Sequence, residues 1–104
     1  MLVKFTVTEE DIRQGQENLQ DYHLSRSRSC PVILAIRRTI GGSWQTGTYI
    51  LADDDYDFQA RLPDHVAHFI IAADKNSPGL EPFEFEMDIP DELLQEGFTQ
   101  EGDS

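Results

Sequence analysis

The sequence predicts a single α+β domain: a mostly antiparallel sheet of about four strands, with two main helices packed on one face. Three stretches carry that prediction. Ser29 to Ile40 (S-C-P-V-I-L-A-I-R-R-T-I) is the most apolar run. It reads as a helix capped by Ser29 or Cys30, with Pro31 at its first position and Gly41-Gly42 as a left-handed stop. Pro82 to Ile89 sets Phe83, Phe85, Met87 and Ile89 against Glu84, Glu86 and Asp88, the alternation of a strand with one buried face. Pro63 opens a second helix reaching about Lys75, with Val66, Phe69, Ile70 and Ala73 at i, i+3, i+4 and i+7 and Asp64, His65 and His68 opposite.

The remaining elements follow in chain order. Val3, Phe5 and Val7 alternate with Lys4 and Thr6, so Leu2 to Val7 is a half-buried strand. Thr8 caps a short helix, with Asp11 at the capping-box offset and Glu9, Glu10 and Asp11 at the positive end of its dipole; Gly15 is expected to end it. Gln16 to Ser29 is polar and reads as a loop containing S-R-S-R. Trp44 to Leu51 and Tyr56 to Leu62 read as one hairpin turning at Ala52-Asp53-Asp54-Asp55. Pro90 stops the last strand, Asp91 to Glu96 can form one amphipathic turn through Leu93 and Leu94, and residues 97–104 are predicted disordered. The expected organisation is one domain over 1–96 and a tail over 97–104.

Composition narrows the function. A chain of 104 residues with one cysteine, Cys30, has no internal disulfide framework. No apolar run approaches the roughly 18 residues of a membrane span, and the N-terminus lacks a signal pattern, so a cytoplasmic setting without membrane contact is expected. The formal net charge is −12. Its distribution is uneven: residues 1–52 sum to +1, and residues 53–104 carry −13 with Arg61 and Lys75 as their only bases. Phosphate binding rests on Lys and Arg, so direct nucleic-acid contact is not expected, and a basic protein surface is the expected partner, with a second copy of the chain also open.

The expected binding residues are Glu84, Glu86 and Asp88, extended by Asp53, Asp54, Asp55 and Asp57 on the hairpin and by Asp91 and Glu92 after the strand. Outward residues of a strand stand about 6.8 Å apart, roughly twice the 3.4 Å step between phosphates of one DNA strand. A rigid row can therefore imitate a nucleic-acid backbone; an ordinary solvated strand face is the alternative. No metal, cofactor or catalytic group is expected. The aspartate run lacks the Gly and distant Glu of an EF-hand loop. His65, His68, His23 and Cys30 fit no recognisable zinc pattern. Cys30 reads as a buried cap rather than a nucleophile, and Gly41-Gly42 and Gly47 do not make a phosphate loop. Arg26, Arg28, Arg37 and Arg38 are expected to neutralise carboxylates of this chain or of a second copy. Trp44, Tyr49 and Leu34 are the candidates for an apolar docking surface on an accessory protein, the competing class of function.

T-E-E-D-I-R-Q-G at 8–15, C-P-V-I-L-A at 30–35, L-P at 62–63, F-I at 69–70 and P-F-E-F at 82–85 together resemble a class of small proteins encoded by tailed phages and prophages. These combine an I-x-x-G turn, a C-P-[IV]-A-L-A helix and a closing L-P … F-I … P-F-x-F segment. The resemblance spans roughly residues 5 to 89. It implies a phage or mobile-element setting, in which small acidic proteins occupy host nucleic-acid-handling machinery. The corresponding expectation is an inhibitor of host defence, anti-CRISPR-like or anti-restriction-like, acting as a DNA mimic.

Overall fold

The computed structural model describes residues 1–21, 29–53, 58–75 and 77–94. The expected loop segment S-R-S-R, with His23, Arg26 and Arg28, and the acids Asp54, Asp55 and Asp57 lie outside the described residues, as does the expected tail over 97–104. The architecture is α+β, in the order β1 (Leu2–Val7), α1 (Glu9–Leu19), α2 (Pro31–Ile40), β2 (Trp44–Thr46), β3 (Ile50–Asp53), β4 (Gln59–Arg61), α3 (Asp64–Asp74) and β5 (Phe83–Asp88), closed by a 3₁₀ turn over Asp91–Leu93.

The described strands form two antiparallel sheets instead of one sheet of four: β1 pairs with β5, and β2, β3 and β4 form a meander. The run Trp44 to Leu51 is two strands rather than one. Gly47 turns the chain, its N–H donating to the Ile50 carbonyl at 2.8 Å, and β3 then pairs back on β2. The described residues include three α-helices. The capping box of α1 is complete, with the Asp11 N–H donating to Thr8 Oγ1 at 3.2 Å and the Thr8 N–H to Asp11 Oδ2 at 3.0 Å. Gly15 does not end this helix, which continues to Leu19 through the first residues of the expected loop. A Cβ at Gly15 would lie 2.8 Å from the Pro31 backbone nitrogen and closer still to its ring carbons. Glycine there permits close approach of α1 to the start of α2, a role that outweighs its poor helix propensity.

Helix α2 is the centre of the fold. It contacts β1, β2, α1 and α3, and Pro31, Val32, Ile33, Ala35, Ile36 and Ile40 are all buried. Gly41 stops it at φ 69°, in the left-handed region the sequence calls for. From β1 and β5, Val3, Phe5, Val7, Phe85 and Met87 enter the same core, with Phe5 and Phe85 stacked at 5.1 Å between centroids. Two features of this sheet position the site. Phe83, at the start of β5, meets Phe69 of α3 at 4.7 Å, which locks the strand to the helix. Met1 and Ile89 exchange hydrogen bonds at the end of the ladder, the Ile89 N–H donating to the Met1 carbonyl at 2.8 Å and the Met1 amine to the Ile89 carbonyl at 2.9 Å. Antiparallel pairs alternate between bonded and unbonded. The backbone N–H and C=O groups of Leu2, Lys4, Thr6, Glu84, Glu86 and Asp88 are therefore turned away from the partner strand.

Candidate partner-binding face

Burial along β5 alternates without a break: Glu84, Glu86 and Asp88 are exposed, and Phe85 and Met87 are in the core at 4% and 5% exposure. Anchored in this way, the three carboxylates emerge from one side of a strand whose backbone sets their spacing. Asp88 and Asp91 converge, both reaching the Met1 amine, at 2.9 and 3.3 Å, and exposed Glu92 follows in the 3₁₀ turn. Five of the nine predicted acids thus follow one another along the last strand and its turn.

Asp53 is not among them. It belongs to the other sheet, opposite Trp44, and its Oδ1 accepts the Phe58 N–H at 3.0 Å across the β3–β4 connection. An aspartate whose carboxylate closes its own turn is held there by local hydrogen bonding.

The same face carries cations that the sequence reading did not place. Register sets Lys4 opposite Glu86 and Thr6 opposite Glu84, and Lys4 Nζ reaches diagonally to Glu84 Oε2 at 3.0 Å. With both side chains more than half exposed, such a pair contributes about 0.2–1 kcal/mol and exchanges readily. Asp88 and Asp91 hold the amino-terminal cation and raise its pKa above the ordinary 8.0, chiefly through the Asp88 hydrogen bond. Glu86, in the middle of the row, has no ion-pair partner among the described residues. The strip is therefore a graded acidic surface, neutralised in part at both ends and open at its centre. At the Glu84 end stands His65, its Nε2 3.3 Å from the Glu84 carbonyl oxygen and its ring edge-on to Phe83 at 5.7 Å.

Several other charges tie elements of the fold together. Arg38 Nη1 donates to Asp11 Oδ1 at 2.5 Å and Nη2 to the Thr6 carbonyl at 2.8 Å, tying α2 to α1 and to the outer edge of β1. Arg37 Nη2 donates to the Trp44 carbonyl at 3.0 Å, and Arg13 bridges Glu10 and Glu17 along α1. Trp44, expected as a docking residue, is in the core at 3% exposure, its indole N–H donating to the Gly41 carbonyl at 2.9 Å. Tyr49 and Ile50, in contrast, are exposed at 49% and 45%, with the Arg61 guanidinium 5.7 Å above the Tyr49 ring.

Cys30 precedes α2 but makes no side-chain cap; its Sγ lies 3.4 Å from Thr46 Oγ1. Burial pushes its thiol pKa up, with the Thr46 contact opposing, so it is protonated at neutral pH. It borders a shallow hollow shared with Gly15, Gln16, Ser29, Pro31, Ala73 and Asp74, and among the described residues no histidine lines it. Among the described residues, no group of three or more His, Cys, Asp or Glu is arranged to hold a metal ion, and no helix is long and apolar enough to cross a membrane. Comparison of the chain with protein-family models, with curated proteins and with solved structures finds no match.

Proposed function

We propose that this chain is a non-enzymatic acidic binding protein that presents β5 and the turn after it to a basic surface of a partner protein, of the kind that otherwise receives nucleic acid. One observation supports it above the others: Glu84, Glu86 and Asp88 project from a strand pinned by Phe85 and Met87, which gives the carboxylates fixed positions. A loose acidic coil loses conformational entropy on binding; a row already ordered by its core-facing neighbours loses little. Occupying a basic groove with fixed carboxylates excludes phosphates from it, so the protein acts as an inhibitor by occlusion. The setting implied by the sequence resemblance belongs to the same proposal: a phage or prophage protein directed against a host defence or nucleic-acid-processing complex in the cytoplasm.

Binding of this kind weakens steeply with salt, because exposed charge pairs are screened over about 10 Å at 0.1 M salt and about 3 Å at 1 M. The test is capture of partners from host lysate at low and high salt, identified by mass spectrometry, with the combined variant E84Q/E86Q/D88N as control. Loss of the partner both at high salt and with the variant, at an unchanged melting temperature, is the expected outcome. A partner retained by the variant refutes the proposal. A second reading, an accessory protein docking through an apolar surface, is favoured by exposed Tyr49 and Ile50. It requires a salt-insensitive assembly by light scattering.

A further inference from the structure

Among the described residues strand β5 has one strand neighbour, β1, and its other edge carries the outward backbone groups of Glu84, Glu86 and Asp88. Among the described residues one of these groups is engaged, the Glu84 carbonyl by His65; the N–H and C=O groups of Glu86 and Asp88 meet no partner. The open stretch is bounded by His65 at one end and at the other by Pro90, which has no N–H to offer. An unpaired strand edge is a template for a further strand. Side chains decide which strand it accepts.

In an antiparallel addition, the residues directly opposite Glu84, Glu86 and Asp88 share their face, with Cβ atoms about 4.5–5.5 Å away. A second copy of β5 would set Glu86 against Glu86 and Glu84 against Asp88, and like charges directly opposite oppose pairing. A strand with Lys or Arg at every second position sets a cation against each carboxylate instead. The Lys4 and Met1 cations already present are exposed and exchangeable, and Glu86, without an ion pair among the described residues, can take the central contact.

We infer that the outer edge of β5 receives an extended basic segment of the partner protein, with Lys or Arg at alternate positions, as an added antiparallel strand. This rests on the acidic-binding reading and goes further, since it assigns the recognition to backbone pairing as well as to charge. Electrostatics alone accepts any basic surface; strand addition accepts one backbone conformation and one charge period.

The test uses the whole chain and a fluorescein-labelled peptide alternating Lys with Val and Thr, read by fluorescence anisotropy. Two further peptides keep the same sequence and charge. One is N-methylated on the Lys residues, whose N–H groups face β5 in the added strand; the other is N-methylated on the intervening residues, whose N–H groups face away. Methylation on Lys is expected to weaken binding roughly tenfold or more, the loss of one or more hydrogen bonds, and methylation between them to leave it nearly unchanged. Hydrogen exchange at the Glu86 and Asp88 amides is expected to slow when the unmethylated peptide binds. Equal affinity for all three peptides, or unaltered exchange at those amides in the complex, overturns strand addition while leaving the electrostatic proposal standing. Unchanged affinity of E84Q/E86Q/D88N for the unmethylated peptide overturns the electrostatic proposal as well. Failure of every peptide to bind overturns the inference.

Discussion

Replacing Gly15 by alanine sets two effects of known size against each other. Within a helix interior, alanine is favoured over glycine by about 1 kcal/mol. At this position the new methyl group meets Pro31, whose backbone nitrogen would be 2.8 Å away and whose ring carbons would be nearer. The struck atoms belong to a ring fixed to the backbone at the first turn of α2, so no side-chain rotation relieves the contact, and α1 must shift from α2. Overpacking of this kind costs typically 1–3 kcal/mol and occasionally more. With the contact involving backbone, the upper part of that range applies, and the net loss is about 1–2 kcal/mol. For a domain of this size that lowers the melting temperature by roughly 4–16 °C. Urea unfolding followed by far-UV circular dichroism measures it, with an unchanged m-value marking a pure stability change. A gain of about 1 kcal/mol, the result that helix propensity alone dictates, would refute the close approach of the two helices.

Asp11→Ala removes the acceptor of the Thr8 N–H and the carboxylate held by Arg38, from a residue only 5% exposed. It should cost about 2 kcal/mol by the same urea assay, against about 1 kcal/mol for Thr8→Ala; a loss under about 0.5 kcal/mol for Asp11→Ala would show that the capping box and the Arg38 contact do not stabilise α1. Burial raises the Cys30 thiol above its ordinary 9.0, so the unfolded chain releases this proton first as pH rises, and folding stability falls once pH passes that ordinary value. The same burial keeps native Cys30 inert to an aromatic disulfide reagent until denaturant is added, and rapid reaction of the folded protein would contradict it. Finally, E84Q/E86Q/D88N removes the like-charge opposition along β5, so at high concentration it should self-associate by light scattering where the parent chain does not; a variant monomeric throughout would show that charge is not what guards that edge.

Much of the fold can be read from local pattern. The limits of β1, α2 and β5 follow from alternation or from Pro and Gly at helix ends, and the Thr8-to-Asp11 box appears with both of its hydrogen bonds. Gly15 is ambiguous in the sequence for a physical reason: a helical glycine and a helix-stopping glycine look alike until the neighbour is known, and that neighbour, Pro31, lies beyond the intervening segment. The turn at Gly47 lacks an Asn-Gly or Asp-Gly pair, which hid the division between β2 and β3. On the candidate face, the exposure of Glu84, Glu86 and Asp88 was legible from period two. Their partial neutralisation was not, because it depends on the register of β1 against β5, which places Lys4 and Met1 beside them. Asp53 offered a local clue in its position at a turn, where aspartate commonly bonds nearby backbone.

The ladder joining Met1 to Ile89 couples two segments that lie far apart in the sequence. Val3, Phe5 and Val7 find their cross-strand neighbours Met87, Phe85 and Phe83 more than seventy residues further along the chain. Contacts this distant in the chain are slow to close. Until β5 arrives, the apolar face of β1 has no paired strand beside it, and a partly folded chain is open to aggregation.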